Sequence, residues 1–126
     1  MARLSQIVVD CATPSSLARF WAAALDDFDL CPYDDAEIAR LAALGLTPET
    51  DPVVIIESPH LEICFQQVEL ESRAKVPVHF DIDAADRPAE VERLLALGAT
   101  VKQSFDDHTW MLDPEGNDFC IGDDRV

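Results

Sequence analysis

The sequence predicts an α+β fold built from two related modules, and three observations carry that prediction. A strand-turn-helix grammar occurs twice: Gln6-Ile7-Val8-Val9-Asp10 leads through Ala12-Thr13-Pro14-Ser15 into one amphipathic stretch, and His79-Phe80-Asp81-Ile82-Asp83 leads through Asp86-Arg87-Pro88 into another. The copies stand 73 positions apart, and Ala18, Trp21, Ala22 and Ala24 fall on Val91, Leu94, Leu95 and Leu97 without a gap. Repetition of this kind defines an architecture before any single element does. A chain of 126 residues with 48% hydrophobic content also supplies one domain with a core, and is too short for two independent ones. The expected organisation is a single domain over 1–126, with module one at 1–70 and module two at 75–126. Two facing copies create a cleft, which is where a ligand is expected.

The elements follow in order. Arg3 to Cys11 reads as the first strand, with Ile7, Val9 and Cys11 on one face and Gln6, Val8 and Asp10 on the other. Ser15 or Ser16 can cap a helix from Leu17 to Leu25, and Trp21 belongs to its core side because it repeats the place of Leu94. Asp26-Asp27-Phe28-Asp29 ends this region without a clean cap. Asp34-Asp35 opens a second helix, apolar at Ile38, Leu41, Ala42 and Leu44 and stopped by Gly45. Pro52 to Ile56 and Leu61 to Val68 form a hairpin about Ser58-Pro59-His60, with His60 in solvent. Glu69 to Ala74 is the expected linker. Module two then reads as strand Val78 to Asp83, helix Ala89 to Leu97 stopped by Gly98, and strands Thr100 to Phe105, His108 to Leu112 and Asp118 to Ile121. Cys120 stands 56 positions after Cys64, so module one holds 17 more residues than module two. The helix from Asp34 to Gly45 and its loop account for that surplus, and replace or displace the module's second strand.

Charge narrows the function. Nine Lys and Arg against 25 Asp and Glu give a formal net charge of −16. Nucleic acid and anionic membrane surfaces need basic patches, so neither is an expected partner. The acid is read as a self-repelling soluble surface, with a cationic ligand as the sharper alternative. Met1 is followed by no secretory pattern, and no apolar run approaches a membrane span. Cys11, Cys31, Cys64 and Cys120 show no CxxC spacing, so reduced cysteines and a cytoplasmic location are expected.

Three segments carry a family resemblance: Leu17-Ala18-Arg19-Phe20-Trp21, Val91 through Ala99, and Asp113-Pro114-Glu115-Gly116-Asn117. With the paired strand-helix-strand-strand-strand modules, they resemble the vicinal oxygen chelate superfamily of glyoxalase I, extradiol dioxygenases and bleomycin-resistance proteins, and within it the small glyoxalase-like domain proteins. The resemblance covers nearly the whole chain and is weakest from Asp26 to Asp51. It implies two βαβββ modules in a curved mixed sheet around a central cleft, here with an inserted helix in the first. It also implies a homodimer, since superfamily members commonly cover their sheet edges by pairing.

Metal-using members place ligands early in the first strand and in the last strand of each module. Those places resemble Gln6, Cys64, His79 and Cys120 here. Gln6 and His79 match ligand types of glyoxalase I, whereas Cys64 and Cys120 replace carboxylates. Hard divalent ions want oxygen, so no metal cofactor is expected; a divalent metal held by these four residues is the alternative. Strand alternation sets His79 and Asp81 on the cleft face, opposite Phe80 and Ile82, which belong under the helix. His79 and Asp81 are the candidate catalytic pair, and Gln6, Asp10, Cys64, Gln66, His108, Trp110 and Cys120 the candidate ligand contacts, with Trp110 suited to stacking on a planar ligand. The favoured function is binding of a small molecule without a metal. The alternatives are a metal-dependent lyase or dioxygenase using His79, or a drug-sequestering resistance protein.

Overall fold

Eight strands and three helices form among the described residues, 1–69 and 77–124, of this computed structural model. In chain order they are β1 (Arg3–Cys11), α1 (Pro14–Ala24), β2 (Asp29–Leu30), α2 (Asp35–Ala43), β3 (Val53–Glu57), β4 (Glu62–Gln67), β5 (Val78–Ala84), α3 (Arg87–Ala96), β6 (Thr100–Ser104), β7 (His108–Leu112) and β8 (Asp118–Asp123). The mixed α+β class is the one the sequence predicts. Apart from Glu69, the expected linker to Ala74 lies outside the described residues or is bounded by them only at its start. The chain divides into two compact units, Val8–Pro77 and Met1–Ile7 with Val78–Val126. No helix of the described residues is long and apolar enough to cross a membrane.

In the unit Val8–Pro77 the strands run in the order β2-β3-β4-β1, the last contributed by the end of β1. β3 and β4 pair antiparallel, with Ile55 opposite Cys64 and Val53 opposite Gln66. Cys11, Ala18, Val54, Ile56 and Phe65 form the buried core, joined by Val9, Leu17, Ala22 and Ile63. Every second strand residue therefore faces α1. Asp10, Val53, Ile55, Cys64 and Gln66 point to the face opposite α1.

Helix α1 starts earlier than the serines suggested. Thr13 holds the N-cap position without a side-chain cap bond, and Pro14 opens the helix, where a missing N–H costs nothing. After Leu25 the chain turns through Asp27, which takes a left-handed φ of 64°. Short polar side chains tolerate that region better than most. Trp21 is not core: it is 39% exposed and meets Phe20 edge-on at 5.1 Å. The buried stripe of α1 is Pro14, Ser15 and Ala18, and Trp21 sits on its flank. Helix α2 begins as expected, Asp34 accepting a hydrogen bond from the Glu37 N–H at 2.8 Å. The second strand is not lost but reduced to the two residues of β2, which pair with Ile56 and Glu57 ahead of the inserted helix.

The other unit keeps the unmodified module, with strands in the order β1-β5-β8-β7-β6. β5 and β8 are parallel, with Asp81 opposite Cys120, and β8, β7 and β6 pair antiparallel. Asp86 caps α3 by accepting from the Ala89 N–H at 3.1 Å, so the helix opens at Arg87 rather than Ala89. Ala84, Ala99, Met111 and Ile121 form the core, with Ile82, Val91, Leu94 and Phe119 packed on it. Phe80 does not join Ile82 there and is 53% exposed. The core is built on Ile82 and Ala84, and Leu97 at the far end of α3 is exposed as well. Gly98 takes φ +110°, and a Cβ on it would lie 3.3 Å from the Pro114 ring. The helix-end glycine and the Asp113–Asn117 turn, two separate motifs in the sequence, thus pack against each other.

Candidate functional site

With α3 and the core on one side of β5, β8 and β7, alternation sends a polar set to the other. His79, Asp81 and Asp83 come from β5, Asp118 and Cys120 from β8, and His108 and Trp110 from β7. Strand register puts Asp81, Cys120 and Trp110 side by side in one row. The His79 Nε2 atom lies 3.7 Å from Asp81 Oδ1, longer than a hydrogen bond but within ion-pair range. The His79 side chain is 18% exposed, sheltered yet reachable. Ser5 donates to the Asp81 carbonyl at 3.0 Å, which sets the start of β1 beside this row, and Gln6 is buried in the same unit.

Trp110 is held rather than free. Its Nε1 donates to Asp118 Oδ1 at 2.9 Å, and Lys102 Nζ reaches the same oxygen at 3.4 Å while sitting 4.0 Å from the centre of the indole ring. A register shift between Val101 and Gln103 makes Lys102 the extra residue of a β-bulge, which brings its side chain onto the Trp110 face. A planar ligand stacking on Trp110 therefore meets a ring whose one face carries an ammonium.

Burial, then the carboxylates of Asp81 and Asp118, push the Cys120 thiol up to about 11. At neutral pH it is a protonated thiol. Its alkylation by iodoacetamide is expected to be slow at pH 8 and to rise with a midpoint near the shifted value; mass-mapped rates over pH check this, and a midpoint at or below the ordinary 9.0 contradicts it. The sign for stability follows: the raised value leaves stability unchanged below the ordinary thiol value and lowers it as pH climbs from there through the folded-state value.

The remaining sequence candidates have partners of their own. His108 pairs with Asp107 at 2.6 Å and stacks on Phe105 at 4.5 Å, at a turn that Arg87 ties by donating to the Phe105 and Asp106 carbonyls. It sits opposite Gly122, where a Cβ would come within 3.1 Å of Asp83 Oδ1. Asp10, Cys64 and Gln66 belong to the other unit, where Gln66 Nε2 donates to Asp10 Oδ1 at 2.8 Å. Lys102 and Asp118 were missed by sequence reasoning; a bulge leaves no mark on a strand pattern.

The donor set fits a hard divalent ion poorly. Of the four residues, Cys120 and Cys64 offer thiols where a hard ion wants oxygen. The nearby Asp118 carboxylate already serves Trp110 and Lys102. Among the described residues no group of three or more His, Cys, Asp or Glu side chains is arranged to hold a metal.

A concavity lies in the unit Val8–Pro77. A cavity of about 310 Å³ is lined by Cys31, Pro32, Tyr33, Asp34, Glu37, Asp51, Val53 and Ile55.

A model of the glyoxalase-like domain family matches residues 6–122. Among solved structures, the chain is similar to a glyoxalase/bleomycin resistance protein/dioxygenase superfamily member from Vibrio splendidus 12B01, at 14% identity and TM-score 0.57, covering 98% of this chain and 100% of that one. It is similar to a hypothetical protein from Bacillus halodurans C-125 at 11% identity and TM-score 0.61, covering 99% and 96%. A protein from Staphylococcus aureus matches at 11% identity and TM-score 0.54, covering 95% and 97%. At these identities the likeness is one of fold. No curated protein matches significantly.

Proposed function

The chain belongs to the glyoxalase-like domain family, and from that premise we propose that it binds a planar, polar small molecule on the helix-free face around His79, without a divalent metal. The observation that carries this reading is the row of Asp81, Cys120 and Trp110 beside a sheltered His79. It offers an aromatic face, a hydrogen-bonding imidazole and a fixed carboxylate on one sheet surface, the mix of apolar area and few polar groups that small-molecule sites use. Metal independence is supported by cysteine standing where the family has carboxylates. A second reading, an enzyme in which His79 moves a proton, is favoured by the nearness of the Asp81 carboxylate to its ring. No lyase or dioxygenase step is derived from it.

His79→Ala is expected to lower folding stability by less than about 1 kcal/mol, because the ring is not a core residue and its carboxylate neighbour lies beyond hydrogen-bond distance. Urea titration checks the stability. A panel of planar metabolites, followed through the Trp110 indole N–H resonance in wild type and in His79→Ala, checks the site. The expected result is a ligand that shifts this resonance and binds His79→Ala at least about tenfold more weakly. A stability loss well above that figure, or a panel that never moves Trp110, contradicts the assignment.

We also propose a cytoplasmic homodimer. The four free cysteines support the location. The support for pairing is β6, exposed along its length at the end of its strand order. Light scattering at micromolar concentration is expected to give twice the chain mass, and the mass of one chain contradicts it.

A further inference from the structure

The cavity of the unit Val8–Pro77 shares no residue with the site proposed above and is not used by that function. We propose that it is a second ligand site, for a small primary amine whose ammonium meets the carboxylate wall and whose apolar body rests on Val53 and Ile55.

The cavity exists because of the insertion. Its walls are the segment leaving β2, the start of α2, and Asp51 at the end of the inserted loop, while β3 forms the floor. Module two has no counterpart to α2, so this concavity belongs to one module only. At about 310 Å³ it stands at the lower end of the range, roughly 300–1,000 Å³, of ligand pockets. That size selects a small ligand.

The lining selects its charge. None of the lining residues is basic, and three are carboxylates, Asp34, Glu37 and Asp51. Arg40, outside the lining, binds Glu37 through both carboxylate oxygens. Asp51 is buried and fixed: Tyr33 donates to its Oδ2 at 2.9 Å and the Val53 N–H to its Oδ1 at 3.0 Å. Each oxygen keeps a further lone pair, so the carboxylate is a preorganised acceptor. Tyr33 and Cys31 are held protonated, the phenol by burial and Asp51, the thiol by burial and Glu57. Neither adds competing charge at neutral pH.

An anion here meets like charge, and a neutral ligand covers carboxylates without replacing their water. A primary ammonium supplies three donors and the opposite charge, and charge-assisted bonds are the stronger kind. Pro32, Val53 and Ile55 supply the apolar contact.

The test uses the full chain and three probes of one shape: benzylamine, benzyl alcohol and benzoate, titrated at fixed ionic strength. Tyr33 is the only tyrosine, so its ring resonances report on this cavity alone. Benzylamine is expected to shift them and to bind at least tenfold more tightly than benzyl alcohol, with benzoate weaker still. Val53→Trp, at a position 47% exposed, is expected to fill the cavity and abolish the shift in a protein whose circular dichroism is unchanged. Should that variant unfold, Glu37→Gln, on the exposed start of α2, is expected to weaken benzylamine severalfold and leave benzyl alcohol as it was. His79→Ala is expected to bind benzylamine as wild type does, which separates this site from the one proposed above. Tyr33 resonances that stay still under millimolar benzylamine, equal affinity for amine and alcohol, or undiminished amine binding in folded Val53→Trp or in Glu37→Gln each overturn the proposal.

Discussion

Phe65→Ala is expected to lower the free energy of unfolding by about 3–5 kcal/mol, the largest effect of any single truncation considered. Phe65 is 1% exposed and packs with Cys11, Ala18, Val54 and Ile56 under α1. The space its ring leaves is bounded by a strand pair fixed by its own hydrogen bonds and by a helix that touches the sheet through a small residue, Ala18. Neither Ala18 nor Cys11 carries a side chain long enough to refill it, so the cost includes a residual cavity as well as the lost transfer free energy. Phe80→Ala is the matched control. Its ring is mostly in solvent, and a loss below about 1 kcal/mol is expected. Urea titration followed by tryptophan fluorescence, with Trp21 in the unit of Phe65 and Trp110 in that of Phe80, reads both; for Phe65→Ala the midpoint should move and the slope should not. A Phe65→Ala loss under about 1.5 kcal/mol contradicts the packing described.

Asp51→Ala is expected to cost about 2–4 kcal/mol, more than its surface-like residue type suggests. The side chain is buried and accepts from two donors, the Tyr33 hydroxyl and the Val53 N–H. Removing the acceptor strands both. Tyr33→Phe removes one donor and leaves Asp51 with the backbone bond, so about 1 kcal/mol is expected. In the double variant the hydroxyl no longer needs a partner, and the two losses should sum to more than the measured one. A double-mutant cycle by denaturant titration gives the coupling, and strict additivity contradicts the pairing.

Much of the fold was legible because it rests on patterns of short range. Alternation in β1 separated Val9 and Cys11 from Val8 and Asp10, and Asp34 marked the start of the inserted helix. Other features answer to contacts that sequence spacing does not carry. Trp21 matched Leu94 in the repeat, yet α1 buries Pro14, Ser15 and Ala18 and leaves Trp21 on the flank of that stripe. Phe80 followed the parity of Ile82 but lies past the covered part of the strand. The two-residue β2 was too short to show a period. Within the candidate site, parity placed His79, Asp81 and Cys120 on one face, whereas Trp110 joined them only through the register of β7 on β8. Lys102 could not, because only a bulge brings it there, and the Asp118 partnership with Trp110 depends on side-chain reach across strands.

The account stands most directly on one titration: the strongest ligand of the planar-metabolite panel into chelator-treated wild type and chelator-treated His79→Ala, by calorimetry. Binding by the group around His79 without a divalent metal predicts that wild type keeps its affinity after chelation, and that His79→Ala loses at least about tenfold, or 1.4 kcal/mol. Binding that disappears on chelation and returns with one equivalent of zinc, iron or nickel contradicts metal independence, and equal affinity in the two proteins contradicts the place of the site.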